Sequence, residues 1–261
     1  MEIRRKTCRT MLAMLAGSLS AVAVAAANDG EKLGVSTEVG ILSAYVRRGR
    51  VVNDEAVIQP AVTLFRAGLT VDVWANMDLT DEATGEAEEF SELDLTLSYA
   101  ADIQPFTIEL GLVEYLFPHQ TDAVTNDLGT ALPGTREAFL CVTLPEGPVT
   151  PSATLYYDLD EAEGFYAMAE ISYNFDIADG VTMALNASLG YGSSDYNSFY
   201  FGVDEGAFND LSVGAWATLA VWQSLSVTPG IQYSQLLDAG IADAAGNSSR
   251  TVVSLAASYE L

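Results

Sequence analysis

The stretch from Phe90 to Tyr99, F-S-E-L-D-L-T-L-S-Y, decides the fold class of this chain. Leu93, Leu95 and Leu97 occur at every second position, and polar residues such as Asp94 stand between them. Successive side chains of a β-strand point to opposite faces, so strict alternation gives one apolar and one polar face. The stretch therefore predicts an amphipathic β-strand.

The same alternation recurs along the chain after the first 27 residues. Most of these runs are near the roughly 9–11 residues that a tilted strand needs to cross a bilayer. No apolar run there reaches the roughly 18 residues expected of a membrane-spanning helix. Twelve strands are predicted, near residues 35–47, 56–66, 69–79, 90–100, 104–117, 135–144, 150–160, 164–176, 180–191, 208–221, 224–236 and 250–261.

The links between these strands alternate in length. Short links, such as residues 66–68 and 178–179, alternate with long ones, such as residues 118–134 and 192–207, although one outward link, 161–163, is short. Tight turns at one end and long loops at the other are typical of outer-membrane barrels. An even strand number then places both termini in the periplasm.

Aromatic residues cluster near the two predicted ends of the strands, as expected for girdles at the two membrane interfaces. The predicted outer girdle contains Tyr45, Tyr115, Phe117, Tyr157, Phe165, Tyr191 and Phe208. The predicted inner girdle contains Phe65, Tyr99, Tyr173, Phe175, Trp222 and Tyr259. The last strand alternates up to Leu261, where bacterial barrels usually end in Phe.

These signals together predict an all-β fold, a transmembrane antiparallel up-and-down β-barrel of about twelve strands. Closing the sheet removes its edges, and backbone groups in hydrocarbon must all be paired. A secreted β-sandwich is the alternative, because alternation alone would also let two apolar faces meet. Loop asymmetry and the girdles favour the barrel.

Residues 1–27 are predicted to be a signal peptide. Arg4, Arg5 and Lys6 begin a basic segment, an apolar run follows, and small residues precede Asn28. This arrangement is typical of secretory signals. We therefore expect export to the cell outer membrane of a Gram-negative bacterium, with residues 28–261 forming a single barrel domain.

The charge balance narrows the classes of partner. The chain has 36 acidic and 11 basic residues and a net charge of −25, and the predicted signal removes further basic residues. Such a surface repels phosphate, so nucleic acid is not an expected partner. Outer-membrane lipid and small solutes are the expected partners.

The polar strand faces carry many carboxylates, which would line the barrel interior if the apolar faces meet lipid. Rings of carboxylates attract cations and repel anions. We therefore predict an acid-lined, cation-selective channel, although the same acids could merely solvate a plugged lumen or pair internally. The candidate pore-lining residues are Asp72, Glu92, Asp94, Glu109, Asp158 and Glu170.

One basic cluster stands out after the signal. Arg47, Arg48 and Arg50 follow Tyr45 at the outer end of the first predicted strand. This outer-rim cluster could contact lipopolysaccharide phosphates or form an eyelet opposite the acids. Pairing with the acidic outward loops is the favoured interpretation.

Acidic outward loops raise the question of metal binding. Asp81, Glu82, Glu86, Glu88 and Glu89 crowd one loop, and Ca²⁺ or Mg²⁺ could bridge such oxygen ligands. Charge runs are more often solvated surface. Divalent cations are thus conceivable partners of the loops, but we predict no specific metal site and no cofactor.

Enzymatic chemistry is not indicated. His119 is the only histidine, and no nucleophile stands at a recognisable spacing from it. Cys141 is the only cysteine after the signal, so neither an intramolecular disulfide nor a cysteine-based metal site is possible. We predict that the protein is not an enzyme.

The first strand and the link after it resemble a known family. Ser43–Gly49, S-A-Y-V-R-R-G, and Asn53–Pro60, N-D-E-A-V-I-Q-P, resemble the opening of the TorF-type family of porin-like proteins. Arg47 replaces an aromatic residue of that pattern, and Pro60 stands where a glycine is usual. The resemblance implies an outer-membrane barrel with a porin role, and it transfers no catalytic or binding residues.

The predicted function is therefore an outer-membrane channel for small hydrophilic solutes, cationic or neutral. The alternative is a structural or surface-interaction barrel with a closed lumen and acidic outward loops.

Overall fold

Fourteen β-strands and two short helices make up the described part of the protein. The computed structural model describes residues 32–80, 89–118, 134–145 and 147–261, so the predicted signal peptide and His119 lie outside it. The strands are β1 (Gly34–Leu42), β2 (Tyr45–Arg47), β3 (Arg50–Asn53), β4 (Val57–Arg66), β5 (Leu69–Asp78), β6 (Glu89–Ile103), β7 (Phe106–Leu116), β8 (Thr135–Thr143), β9 (Val149–Asp158), β10 (Phe165–Ala178), β11 (Val181–Gly192), β12 (Ala207–Trp222), β13 (Leu225–Leu236) and β14 (Ser249–Glu260).

Twelve of these strands close into one antiparallel barrel. Each strand pairs with its neighbours in the chain, apart from the separate β2–β3 pair, and β14 pairs with β1 to complete the circle. Ser36 aligns with Glu260 on that closing seam, and Gly34 aligns with Phe65 on the other side of β1. The predicted twelve-stranded antiparallel barrel is confirmed.

Apolar side chains of the barrel point outwards. Leu97, Leu112, Ile171 and Val253 are each about half exposed although they lie in the middle of strands. A sandwich would bury such residues between its sheets, whereas a lipid-facing barrel presents them as a band. The β-sandwich alternative is therefore wrong.

Tyr45 and Tyr115 depart from the predicted outer girdle, and Phe117 packs against the same buried cluster as Tyr115. Tyr99, Tyr157 and Phe208 are exposed on the outside, as expected. Tyr45 and Tyr115 are only 1% and 2% exposed and face the lumen. Tyr45 points inwards because β1 ends at Leu42 and the hairpin begins at Tyr45. Tyr115 points inwards because it lies on the same face of β7 as Glu109.

Long links at one end of the barrel, called the outer end below, contain both helices. The helices are α1 (Ser194–Phe201) and α2 (Ala239–Ala245). The Ser193 hydroxyl accepts a hydrogen bond from the Tyr196 amide at 3.3 Å, and Gly202 closes α1 in a left-handed conformation. These caps stabilise a short helix that directs tyrosines towards the lumen. No helix within the described ranges has the length and apolarity to cross a membrane.

Candidate functional site

The β2–β3 hairpin lies inside the barrel near its outer end. Its turn consists of Arg48 and Gly49, which have φ angles of 48° and 78°. A Cβ atom on Gly49 would lie 2.5 Å from Cβ of Asp210 and 2.7 Å from Cδ2 of Leu236. The tip therefore touches β12 and β13, which follow β14 around the barrel from β1.

The base of the hairpin packs against β1 and β14 on one side and against β5 and β6 on the other. Tyr45 and Val46 are buried together with Leu42 and Val252. The Tyr45 ring lies 5.7 Å from the Trp74 ring, and its hydroxyl donates to Oε2 of Glu92 at 2.9 Å. The hairpin thus spans the lumen and narrows it.

Arg48 is bound at the centre of this crossing. Its Nη1 and Nη2 atoms donate to Oε1 and Oε2 of Glu137, each at 2.7 Å. The guanidinium carbon lies 4.3 Å from the ring centroid of Tyr156, 4.6 Å from that of Tyr166 and 5.7 Å from that of Tyr196. Carboxylate fork and aromatic faces are the two surfaces that a guanidinium binds best.

The environment keeps Arg48 charged. Burial lowers the pKa of its guanidinium, but the Glu137 carboxylate and the surrounding tyrosines outweigh this effect, so the pKa stays well above its ordinary value. The Arg48 side chain is 7% exposed and that of Glu137 is 1% exposed. The pair is therefore a buried, charged clasp between hairpin and wall.

Arg47 makes looser contacts beside this clasp. Its Nη1 lies 3.6 Å from Oε1 of Glu92, and its Nη2 lies 4.0 Å from Oε2 of Glu137. Its guanidinium carbon lies 4.1 Å from the Tyr115 ring centroid and 5.8 Å from that of Tyr200. These distances are ion-pair and cation–π contacts rather than hydrogen bonds.

Three buried polar atoms next to Arg47 have no hydrogen-bond partner. They are Nη2 of Arg47, Oε1 of Glu92 and Oδ1 of Asp94. Unpaired buried polar groups are costly and are usually satisfied by water or a ligand. This side of the hairpin is therefore less tightly held than the Arg48 side.

The six predicted pore-lining residues lie on inward-facing strand positions at two levels of the barrel. Glu92 and Asp94 lie at the hairpin, whereas Asp72, Glu109 and Glu170 lie below it, towards the end with short links. The Thr63 hydroxyl donates to Asp72 at 2.5 Å.

Asp158 has a different role from the other five. Its Oδ1 accepts from the Thr135 hydroxyl at 2.8 Å and from the backbone amides of Asp160 and Glu161 at 3.0 and 2.9 Å. The carboxylate is thus used to hold the short outward turn at residues 159–164.

The predicted basic cluster is divided by the hairpin. Arg47 and Arg48 lie in the lumen, with side chains 12% and 7% exposed, so they are not at the outer rim as predicted. Their partners are wall carboxylates instead of the acidic loops. Arg50 alone is exposed. The tight turn at Gly49 is the physical reason for the inward position of Arg47 and Arg48, and a role of these arginines as an eyelet stays a prediction.

Sequence reasoning missed several residues of this site. Glu137 shares the inward face of β8 with Phe139 and Cys141. Because these neighbours are apolar, the sequence pattern does not identify this face as polar. Asp210 follows Asn209 at a register shift between β11 and β12. Tyr196 and its neighbours belong to a predicted loop, where only the Ser193 and Gly202 caps indicated a helix.

A small cavity lies beneath the hairpin tip. It has a volume of about 30 Å³, which is room for about two water molecules. Arg48, Glu170, Asn186, Asp210 and Gln232 are among the residues that line it. The cavity is therefore small, and most of the residues that line it are polar or charged.

Metal binding finds no geometric support where the structure can be described. Within residues 32–80, 89–118, 134–145 and 147–261, no three His, Cys, Asp or Glu side chains come together as a metal site. Asp81, Glu82, Glu86 and Glu88 of the predicted acidic loop lie outside these residues, so divalent cations there stay a prediction.

Solved structures with a similar fold are outer-membrane porins. The NanC porin covers 87% of this chain and all of its own, with 11% identity and a TM-score of 0.51. The KdgM porin covers 87% of this chain and 98% of its own, with 10% identity and a TM-score of 0.50, and it was also solved in complex with disordered oligogalacturonate. At this identity the likeness shows the fold alone.

Sequence comparison adds a family. No curated protein matches the chain significantly. One family model matches residues 26–235, which is most of the chain. That model does not carry the TorF-type name, so the resemblance noted in the opening strands stays a prediction. The chain belongs to the family described as "Bacterial protein of unknown function (Gcw_chp)".

Proposed function

We propose that this protein is an outer-membrane channel for small hydrophilic solutes, with a preference for cationic or neutral ones. The exposed apolar band would contact outer-membrane lipid, and export would follow from the predicted signal peptide. The porin fold supports a channel, because a closed barrel of this size can enclose an aqueous path.

The charge of the lumen below the hairpin carries the proposal. Asp72, Glu109 and Glu170 face this space, and Glu38 lies level with them on β1. Among the described residues, no lysine or arginine stands at an inward strand position below the hairpin. A narrow path with fixed charge of one sign raises the local concentration of oppositely charged solutes. Cations are therefore favoured.

The hairpin sets the size of the solute. Arg47 and Arg48 cross the lumen and pair with Glu92 and Glu137, so the outer part is narrow and these two carboxylates are neutralised. Large solutes would have to displace this buried hairpin. The oligogalacturonate ligand of the KdgM porin is not transferred to this chain, because the carboxylates below the hairpin would repel a polyanion.

A second function is favoured by the same hairpin. If the clasp between Arg48 and Glu137 never opens, the lumen is closed, and the protein acts as a structural or surface-interaction barrel. The acidic outward loops would then be the surface through which the protein interacts with its partners.

Swelling of proteoliposomes separates the two functions. Vesicles containing the folded barrel are diluted into isosmotic solutions of a small sugar, an amino-acid amide cation and an anion of similar size. We expect swelling in the order cation, sugar, anion. Glu109→Gln should weaken the preference, with Glu114→Gln, which removes a partly exposed outward carboxylate, as its control. Equal absence of swelling for all three solutes would favour the closed barrel.

Enzymatic activity forms no part of this proposal. The two buried arginines of the site are paired with Glu92 and Glu137. Incubation of the folded barrel with ester and peptide substrates tests this, and turnover of either would contradict it.

A further inference from the structure

The pocket around the Arg48 guanidinium is composed entirely of wall and loop residues. Glu137 belongs to β8, Tyr156 to β9, Tyr166 to β10 and Tyr196 to α1. The hairpin contributes Arg48, which fills the pocket, and Arg47, whose Nη2 lies 4.0 Å from Oε2 of Glu137. The residues of the pocket therefore belong to the barrel wall and to α1, and the arginine reaches them on a segment that is not part of the barrel sheet.

The chemistry of this pocket is specific. Glu137 offers two oxygens in one plane, both 2.7 Å from guanidinium nitrogens. The Tyr196 hydroxyl adds a third acceptor, 3.4 Å from Nη1. Tyr156 and Tyr166 place ring faces at 4.3 and 4.6 Å. A planar cation with several N–H donors can bind all of these groups. A compact ammonium neutralises the carboxylate but cannot donate two parallel hydrogen bonds to its two oxygens.

We propose that the cage formed by Glu137, Tyr156, Tyr166 and Tyr196 is a guanidinium-binding site of the channel, in which Arg48 is a tethered occupant. When the hairpin leaves, the cage binds the guanidinium group of a solute. The inference deepens the proposed function and rests on it, because it names the class of cation that the path recognises.

Position on the solute path supports this assignment. Arg48 lines the cavity beneath the hairpin together with Glu170 and Asp210, so these two carboxylates lie next to the cage on its lower side. The looser Arg47 side, with its three unpaired buried atoms, gives the hairpin a weakly held edge. The cage and the acids below it are thus arranged in series.

Removal of the tethered occupant tests the cage directly. In Arg48→Ala the four cage residues stay in place and the guanidinium position is vacated. Low millimolar methylguanidinium should raise the temperature at which this variant loses its folded mobility in detergent gels, because a ligand that binds only the folded state stabilises it. Methylammonium at equal ionic strength should bind roughly tenfold more weakly, since it lacks the fork.

Matched controls separate cage binding from general salt effects. Arg50→Ala removes an exposed arginine of the same hairpin and should show no response. Arg48→Ala combined with Glu137→Gln should lose the response. Equal shifts by both cations, or a shift that survives Glu137→Gln, would overturn the proposal.

Current measurements distinguish failure of the cage from failure of the channel. In planar bilayers, methylguanidinium should block Arg48→Ala at lower concentration than methylammonium does. If the variant conducts without this discrimination, the cage assignment is overturned while the channel stands. If no variant conducts but the thermal response is present, the channel proposal fails and the guanidinium site stands.

If Arg48→Ala does not fold, uptake measurements on the wild-type protein test the cage instead. Uptake of arginine by wild-type proteoliposomes should exceed that of citrulline, its neutral isostere, and should be reduced by methylguanidinium. Equal uptake without such competition would overturn the assignment.

Discussion

Replacing Glu137 by glutamine should release the hairpin from the lumen. Two hydrogen bonds of 2.7 Å hold Arg48 to this carboxylate, and the side chains are 7% and 1% exposed. Removing one partner of a buried ion pair costs about 3–5 kcal/mol. Glutamine keeps one acceptor, so the lower end of that range applies.

This cost does not have to unfold the barrel. The hairpin is tethered at both ends and can carry Arg48 out to water, so the lost energy shifts the equilibrium between docked and released hairpin. At 1.4 kcal/mol per factor of ten, about 3 kcal/mol corresponds to a roughly hundredfold larger released population. A larger open-channel current should accompany it.

Limited trypsin digestion of the folded barrel measures this population. Cleavage after Arg47 or Arg48 requires the hairpin to leave the lumen, and its rate follows the released population when docking is fast. Glu137→Gln should be cleaved much faster than wild type. Glu114→Gln is the control, because the ion pair of Glu114 is with the exposed Arg136. If folded Glu137→Gln shows wild-type cleavage and current, the clasp does not hold the hairpin.

Three further changes probe the hairpin, the lipid face and the surface charges. Gly49→Val places a side chain at a positive φ, which costs about 1–2 kcal/mol, and brings it against the wall, so the docked hairpin is destabilised and the bilayer current should rise. Gly147→Val is the control, because Gly147 has open space around it, and it should leave the current unchanged. Leu97→Arg on the apolar face should lower the free energy of unfolding by about 2–4 kcal/mol in urea titrations of lipid-embedded protein, and an unchanged midpoint would contradict a lipid-facing position. Arg136→Ala removes an exposed pair with Asp160 and should leave the same titration unaltered, because solvent screens such pairs.

Strand number and closure could be predicted because they depend on local patterns. The alternation around Leu95 repeats in every barrel strand, and side-chain direction in a strand has a fixed period. The lengths of the links predicted which end of the barrel carries the long loops. These features need no knowledge of which residues meet across the lumen.

The site could not be predicted to the same depth, because it depends on contacts between distant segments. Nothing local in Arg47-Arg48-Gly49 shows whether the turn points outwards or into the barrel. Glu137 is 89 residues from Arg48 in the chain, and its neighbours on the inward face of β8 are partly apolar. The sequence shows that Arg48 is charged, but it does not show that Glu137 is its partner.

Helix α1 shows a similar limit. Its eight residues form a single short helix between β11 and β12, and helices of this length depend on capping and packing more than on propensity. Tyr196 and Tyr200 reach the arginines only because of that placement. The aromatic residues were visible, while their direction followed from the three-dimensional fold.

The reversal potential of single channels under a KCl gradient tests the central claim most directly. Folded protein, identified by its heat-modifiable mobility, is inserted into a planar bilayer. The measured quantity is the voltage at which the single-channel current is zero. An acid-lined path predicts a reversal potential of the sign set by potassium. A potential of the sign set by chloride, or no current from folded and inserted barrels, would contradict a cation-preferring channel.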